Sequence, residues 1–138
     1  MYRWLIDKQV RKVMASSRAG DMAPSLAMWA DDAHFEFPGE SSWTADLHDK
    51  EAIAAWYDRF AAAGLQIEPD EILTKGGPWA TTICVHFTDR AHGADGAVVY
   101  ENRGVLYFKM RWGKIVYGTA YEDTQKVAAF DQYVAAAT

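Results

Sequence analysis

One cysteine, Cys84, stands in the 138-residue sequence, which rules out an internal disulfide and leads us to expect a reducing compartment, the cytoplasm. Proline is scarce as well: of four, Pro38 and Pro78 sit beside glycine and mark turns. No uncharged run approaches the ~20 residues that cross a membrane, so no membrane partner is expected. The N-terminus, Met1-Tyr2-Arg3-Trp4 followed by Asp7, Lys8, Arg11 and Lys12, lacks the apolar stretch of a secretory signal. Basic residues are outnumbered, 14 Lys and Arg against 19 Asp and Glu, and the net charge of -5 argues against a nucleic-acid partner. The four histidines (34, 48, 86 and 92) show no pairing at metal-ligand spacing. A phosphate loop and a dinucleotide glycine motif are also missing, so neither metal nor cofactor is expected.

What the chain does have is apolar material: 50% of residues are hydrophobic and 14% aromatic, against 24% charged. At this length one core is buried without staples, so residues 1–138 read as a single domain. Ile6, Val10, Val13 and Met14 form one stripe of a helix over 3–18 that Gly20 ends. A short helix follows at about 22–30, with Leu26, Trp29 and Ala30 on its buried face. His34-Phe35-Glu36-Phe37 then alternates like a strand and stops at Pro38-Gly39. The loop 39–48, carrying Trp43, is long enough to act as a lid.

Ile53, Trp56, Tyr57 and Phe60 place a third helix at about 49–62. From Leu65 the period falls to two, giving strands at about 65–74, 79–89, 97–110 and 114–122. Asp123 or Thr124 caps a last helix with Val127, Phe130 and Val134, whose end at Val134–Thr138 is expected to fray. Helices grouped ahead of long strands give the α+β class. Long strands twist and curl, and helices closing a curled sheet leave an interior that is filled or hollow.

Two motifs carry a family resemblance. The first runs from Ala19-Gly20-Asp21-Met22 to Met28-Trp29-Ala30-Asp31-Asp32-Ala33 and a strand ending at Pro38-Gly39. The second joins Tyr100-Glu101-Asn102-Arg103-Gly104, Gly113-Lys114-Ile115 and Tyr121-Glu122-Asp123-Thr124. In order and spacing the chain resembles the SnoaL-like branch of the nuclear transport factor two-like superfamily, whose members include ketosteroid isomerases, limonene epoxide hydrolases and polyketide cyclases. The resemblance implies a conical, strongly curved mixed β-sheet, with three helices from the N-terminal half and one C-terminal helix enclosing a pocket. It also implies a homodimer packed through the outer sheet face.

It does not hand over a catalytic set. Where steroid isomerases place a tyrosine and a general-base aspartate, this chain has Val13 and Phe37. The epoxide-hydrolase positions fall on Ala120, Phe87 and Asp89, and the first-helix aspartate of the dehydratase-like branch falls on Arg18. Fold alone does not fix function here.

The polar residues left for chemistry are Glu36, His34 and Asn102. Between Phe35 and Phe37, Glu36 is expected to turn into the pocket, where aromatic walls would raise its pKa into the range of a general acid or base. His34, on the same side, would orient it; the alternative is that both face solvent. By the epoxide-hydrolase alignment Asn102, Gly104 and Leu106 face inward, while Glu101 and Arg103 pair on the outer face. Asp89, beside Arg90, reads as a surface or paired carboxylate, with a second-carboxylate role as the alternative. His86 faces away from the pocket.

Trp29, Trp56, Tyr57 and Tyr100 are candidate ligand-binding walls. Gly104, Gly118 and Ala120, being small, leave space for a ligand, with Val116, Gly118 and Ala120 pointing inward. The expectation is a pocket for a small, largely apolar molecule. It serves either a cofactor-free acid/base enzyme (isomerase, hydratase or dehydratase, cyclase or epoxide hydrolase) or a binding module without chemistry. A third reading is an interaction domain whose cone is plugged by its own side chains.

Overall fold

A computed structural model describes residues 1–137. Four helices, α1 (Tyr2–Arg18), α2 (Ala23–Ala27), α3 (Lys50–Ala62) and α4 (Thr124–Ala137), cover one curved, unclosed six-stranded sheet. The strands are β1 (Trp29–Phe37), β2 (Ala45–Leu47), β3 (Gln66–Gly77), β4 (Ala80–His92), β5 (Val98–Arg111) and β6 (Lys114–Glu122), in the order β2-β1-β6-β5-β4-β3. Every neighbouring pair is antiparallel except β1 with β6, so the sheet is mixed, and the class is α+β.

The core lies between the inner sheet face and the helices. Ile6 and Val10 of α1 are buried, and α1 lies across β3. Asp49 starts α3 by accepting a hydrogen bond from the Ala52 amide at 2.8 Å. Ile53 and Phe60 then bury the helix face that packs on β1. Along β4, Ile83, Val85 and Phe87 alternate inward while His86 points out to Asp70, 3.4 Å away.

Trp29 anchors the centre. It is 1% exposed and meets Phe35, Tyr57 and Phe108 edge to face at 5.7–6.2 Å. Such pairs contribute about 0.5–1.5 kcal/mol each beyond area burial. At the far edge β3 carries Glu68, Asp70, Glu71 and Lys75 and bulges at Asp70 next to Pro69, features that discourage edge-to-edge pairing.

Several expectations from sequence are corrected. Trp29 and Ala30 belong to β1, not to the second helix. The Ile115 amide donates to the Met28 carbonyl at 2.7 Å, and this long-range pairing overrides the local helical pattern. The expected loop 39–48 contains the short strand β2, and its Trp43 is buried. Arg59 stacks over Trp43 at 4.0 Å and donates to the Ser42 carbonyl, while Asp131 accepts from the Ser42 amide at 2.6 Å. A segment tied to α3 and α4 in this way is no free lid. A register shift in the β5–β6 ladder at Val116 gives the inward place to Ile115. The end expected to fray from Val134 stays helical through Ala137; Thr138 lies outside the described residues.

Candidate functional site

Between sheet and helices lies a cavity of about 110 Å³. An engineered cavity of about 150 Å³ takes benzene, so this space is on the scale of one small ring. Its walls are nearly all apolar: Val13 and Met14 from α1, Met28 and Trp29 at the start of β1, Phe35 and Phe37 further along, Trp56 and Tyr57 from α3. The Tyr57 hydroxyl accepts from the Trp29 indole at 3.0 Å, and burial pushes its pKa up to about 12, so it stays protonated. Ser17 and Ser25, hydrogen-bonded to one another at 2.7 Å, and Gln66 add polar groups to the lining.

A smaller annex adjoins this space. Phe37, Trp56, Phe60, Leu65 and Glu122 border both, and Asp89 and Tyr100 lie on the annex side. There the sheet brings a buried carboxyl and a half-buried one together. Asp89, 1% exposed, and Glu122 share a hydrogen bond from β4 and β6 across the intervening β5. Burial is the main cause that drives the Asp89 pKa up, to about 9, and the neighbouring Glu122 charge adds to it. The Glu122 pKa is raised by burial too, but hydrogen bonds from Asp89 and Tyr100 favour its charged form. Both shifts run upward, so the two carboxyls titrate as a coupled pair and the neutral form is favoured more strongly at Asp89.

A chain of donors fixes that arrangement. Asn102 Nδ2 donates to the Tyr100 hydroxyl at 2.8 Å, and that hydroxyl donates to Glu122 Oε1 at 3.0 Å. The other atoms of Asn102 are held by backbone: Nδ2 also donates to the Asp123 carbonyl, and Oδ1 accepts from the Arg103 amide at 2.9 Å. Asp89 Oδ1 is buried without a hydrogen-bond partner among the described residues. An orphan acceptor of that kind costs free energy and is a place for a donor to arrive.

The residues singled out from sequence divide. Asn102 faces inward and is 3% exposed, in the acid network. Trp29, Trp56, Tyr57 and Ala120 line the cavity, and Tyr100 lines the annex. Glu36 and His34 are corrected. Phe35 and Phe37 take the inward places on β1, so alternation sends both polar residues to the outer face, where the Glu36 side chain is 42% exposed. A carboxylate on that side cannot pass a proton to a molecule in the cavity.

Gly118 is corrected in another sense. A Cβ there would meet Trp29 at 2.6 Å and Phe108 at 2.7 Å, so its smallness admits those rings and opens no space. At Gly104 a Cβ would meet the Tyr121 carbonyl oxygen at 2.1 Å. Neither glycine lines the cavity. Glu101 pairs with Arg90 at 2.8 Å on the outer face, where Arg103 was the expected partner.

The SnoaL-like domain family matches residues 10–118. The chain belongs to the SnoaL-like family. Solved structures agree in fold. An NTF2-like protein from Burkholderia pseudomallei is 19% identical with a TM-score of 0.73, covering 90% of this chain and 95% of that one. TerC, co-crystallised with polyporic acid, is 18% identical with a TM-score of 0.70, covering 91% and 94%. A protein from Xanthomonas campestris described as a candidate polyketide cyclase is 18% identical with a TM-score of 0.66, covering 94% and 98%. No curated protein matches the sequence. Among the described residues of this SnoaL-like domain no helix is long and apolar enough to cross a membrane.

Sequence reasoning misses Glu122 and ranks Asp89 as a surface or paired carboxylate ahead of a second-carboxylate role, though a signal for both was present. Val85 and Phe87 alternate with Asp89 on β4, and Gly118 and Ala120 alternate with Glu122 on β6, so one period-two rule turns both carboxyls inward. The nearby Arg90 and the sheet end argued the other way. Arg90 is spent on Glu101 and Glu68 outside.

On that outer side the SnoaL-like sheet also gathers His34, Glu36, Asp46 and His48. The histidines show no metal-ligand spacing along the chain, but the β1–β2 pairing brings His34 and His48 together, their rings stacked at 4.3 Å. Hydrogen bonding from His34 is the main cause that keeps the Asp46 carboxyl below its usual range.

Proposed function

We propose that this SnoaL-like domain binds a small, largely apolar molecule in the cavity and moves a proton on it with the Asp89–Glu122 pair, as a cofactor-free acid/base enzyme of the isomerase, hydratase–dehydratase or cyclase type. The observation that carries the reading is a buried carboxyl, Asp89, beside a half-buried one, Glu122, where a nearly apolar cavity meets its annex. Glu122 borders the ligand space and is the group that accepts a proton from carbon or oxygen, or returns it. Asp89 stores the proton, and Tyr100 and Asn102 are positioning residues that hold the Glu122 carboxylate in place. A base of raised pKa in dry surroundings is matched to proton transfer near neutral pH. The polyporic acid complex of TerC and the cyclase description of the Xanthomonas campestris protein support a ring-containing or polyketide-like substrate. Asn102, Tyr100, Trp29, Trp56, Tyr57 and Ala120 remain from the sequence-derived set. The protein works in the cytoplasm, as a homodimer through the outer sheet face.

The test uses a panel of ring-bearing enones and β-hydroxy ketones with wild type, Glu122→Gln and Asp89→Asn. Turnover of a panel member should fall by at least about 100-fold in Glu122→Gln, with binding measured by tryptophan fluorescence retained. Equal turnover in the variant overturns the role of Glu122. The competing reading, a binding module, draws on the Tyr100–Asn102 chain satisfying Glu122 without any ligand. Tight binding with no turnover by wild type across the panel would favour it.

A further inference from the structure

Outside the cavity, β1 and β2 build a second constellation. The ladder pairs Phe35 with Leu47 and Glu36 with Asp46, and one step further along it His34 lies opposite His48. Alternation puts His34 and Glu36 on one face of β1, and Asp46 and His48 on the same face across the ladder. The result is a two-by-two array of two imidazoles and two carboxylates.

Its ligand atoms converge. Asp46 Oδ1 lies 2.6 Å from His34 Nε2 and 3.2 Å from His48 Nε2, and Glu36 Oε1 lies 3.2 Å from His34 Nε2. One ligand atom from each of His34, Asp46 and His48 falls within 4.8 Å of the others. Zinc bonds of about 2.0–2.2 Å in a tetrahedron place neighbouring ligand atoms roughly 3.3–3.6 Å apart, close to the 3.2 Å separations, while the 2.6 Å Asp46–His34 hydrogen bond would lengthen on binding.

We propose that His34, Asp46 and His48 form a divalent transition-metal site at the β1–β2 edge, zinc being the ion that best suits two imidazoles and a carboxylate, with Glu36 as a fourth ligand. The mixed N/O donor set disfavours calcium and magnesium, which take oxygen ligands. Binding needs the stacked rings, 17° from parallel, to splay until both lone pairs meet one ion. His48, 66% exposed and beyond the end of β2, has solvent around it into which the ring can turn once it leaves the His34 stack. A bound ion would clip the three-residue edge strand β2 to β1.

The experiment titrates the full chain with zinc chloride by calorimetry, and with cobalt(II) by visible absorption, at about pH 7.5, mildly alkaline so that protons compete less for the ligand atoms. One ion per chain is expected, with the strong visible bands of four-coordinate cobalt. The double variant His34→Ala/His48→Ala should lose at least about tenfold in affinity, since removing even an outer-shell partner costs about 10–100-fold. His86→Ala and His92→Ala should bind as wild type does. His48→Gln, altering a side chain outside the strand, keeps the test valid if the double variant misfolds, and it too should lose affinity. Absence of saturable binding in wild type, or unchanged affinity in the His34 and His48 variants, overturns the site.

Discussion

Asp89 owes its chemistry to three neighbours: Phe87 on its own strand, Glu122 across the sheet and the apolar rings of the annex. Its folded pKa, about 9, lies above the ordinary 3.8, so the neutral carboxyl stabilises the fold fully below about pH 4 and that contribution fades as pH climbs to about 9. The slope is at most about 1.4 kcal/mol per pH unit. Asp89→Asn keeps a donor for Glu122 but cannot ionise. Chemical denaturation across this pH window should therefore show a flatter stability profile for the variant, and greater stability than wild type at the alkaline end. Parallel profiles would remove Asp89 as the titrating group. At this scale the sequence was legible wherever strand alternation was followed to its end. It misled where a neighbouring charge, Arg90, was allowed to outvote it, and where Glu36 was turned inward although its neighbours Phe35 and Phe37 claim that face.

Elements tell a different story, because their packing partners lie far along the chain. The two long hairpins, β3–β4 and β5–β6, could be read from their periods and glycine turns within a few residues. The strand β2 could not: three residues with one buried neighbour, Trp43, carry no period, and only pairing with β1 makes them a strand. The start of β1 was hidden likewise, since Leu26 and Trp29 mimic a helical stripe. Gly118 shows how closely these elements fit. Placing a methyl at 2.6 Å from the Trp29 ring forces β6 and β1 apart, so Gly118→Ala should cost about 1–3 kcal/mol, measured as a lower urea midpoint. An unchanged midpoint would mean that Trp29 moves freely, against the three ring contacts that hold it.

Across the whole molecule the sheet has one covered and one bare face. The bare face has a row Leu73–Cys84–Tyr107 and a row His86–Val105–Tyr121 set side by side by strand register, with Leu73 and Tyr121 more than half exposed. Apolar and aromatic groups in such rows are what the proposed homodimer would bury. Light scattering on wild type should give twice the chain mass, and Tyr121→Asp should shift it to the monomer; a wild-type monomer at micromolar concentration would dismiss the dimer. The fold class and the aromatic walls were readable at this scale from length, element order and composition. Which sheet face each polar residue occupies was not, because a bulge such as that at Val116 resets alternation without a mark in the sequence.

The parallel seam between β1 and β6, where Trp29 meets Ile115 and Phe35 meets Gly118, joins an early strand to the last one. During synthesis β1 must wait for its β6 partner until residues 114–122 have left the ribosome. Such distant closure makes folding slow and late. A nascent chain stalled before position 115 would present Trp29, Phe35 and Phe37 to chaperones as an unfinished wall.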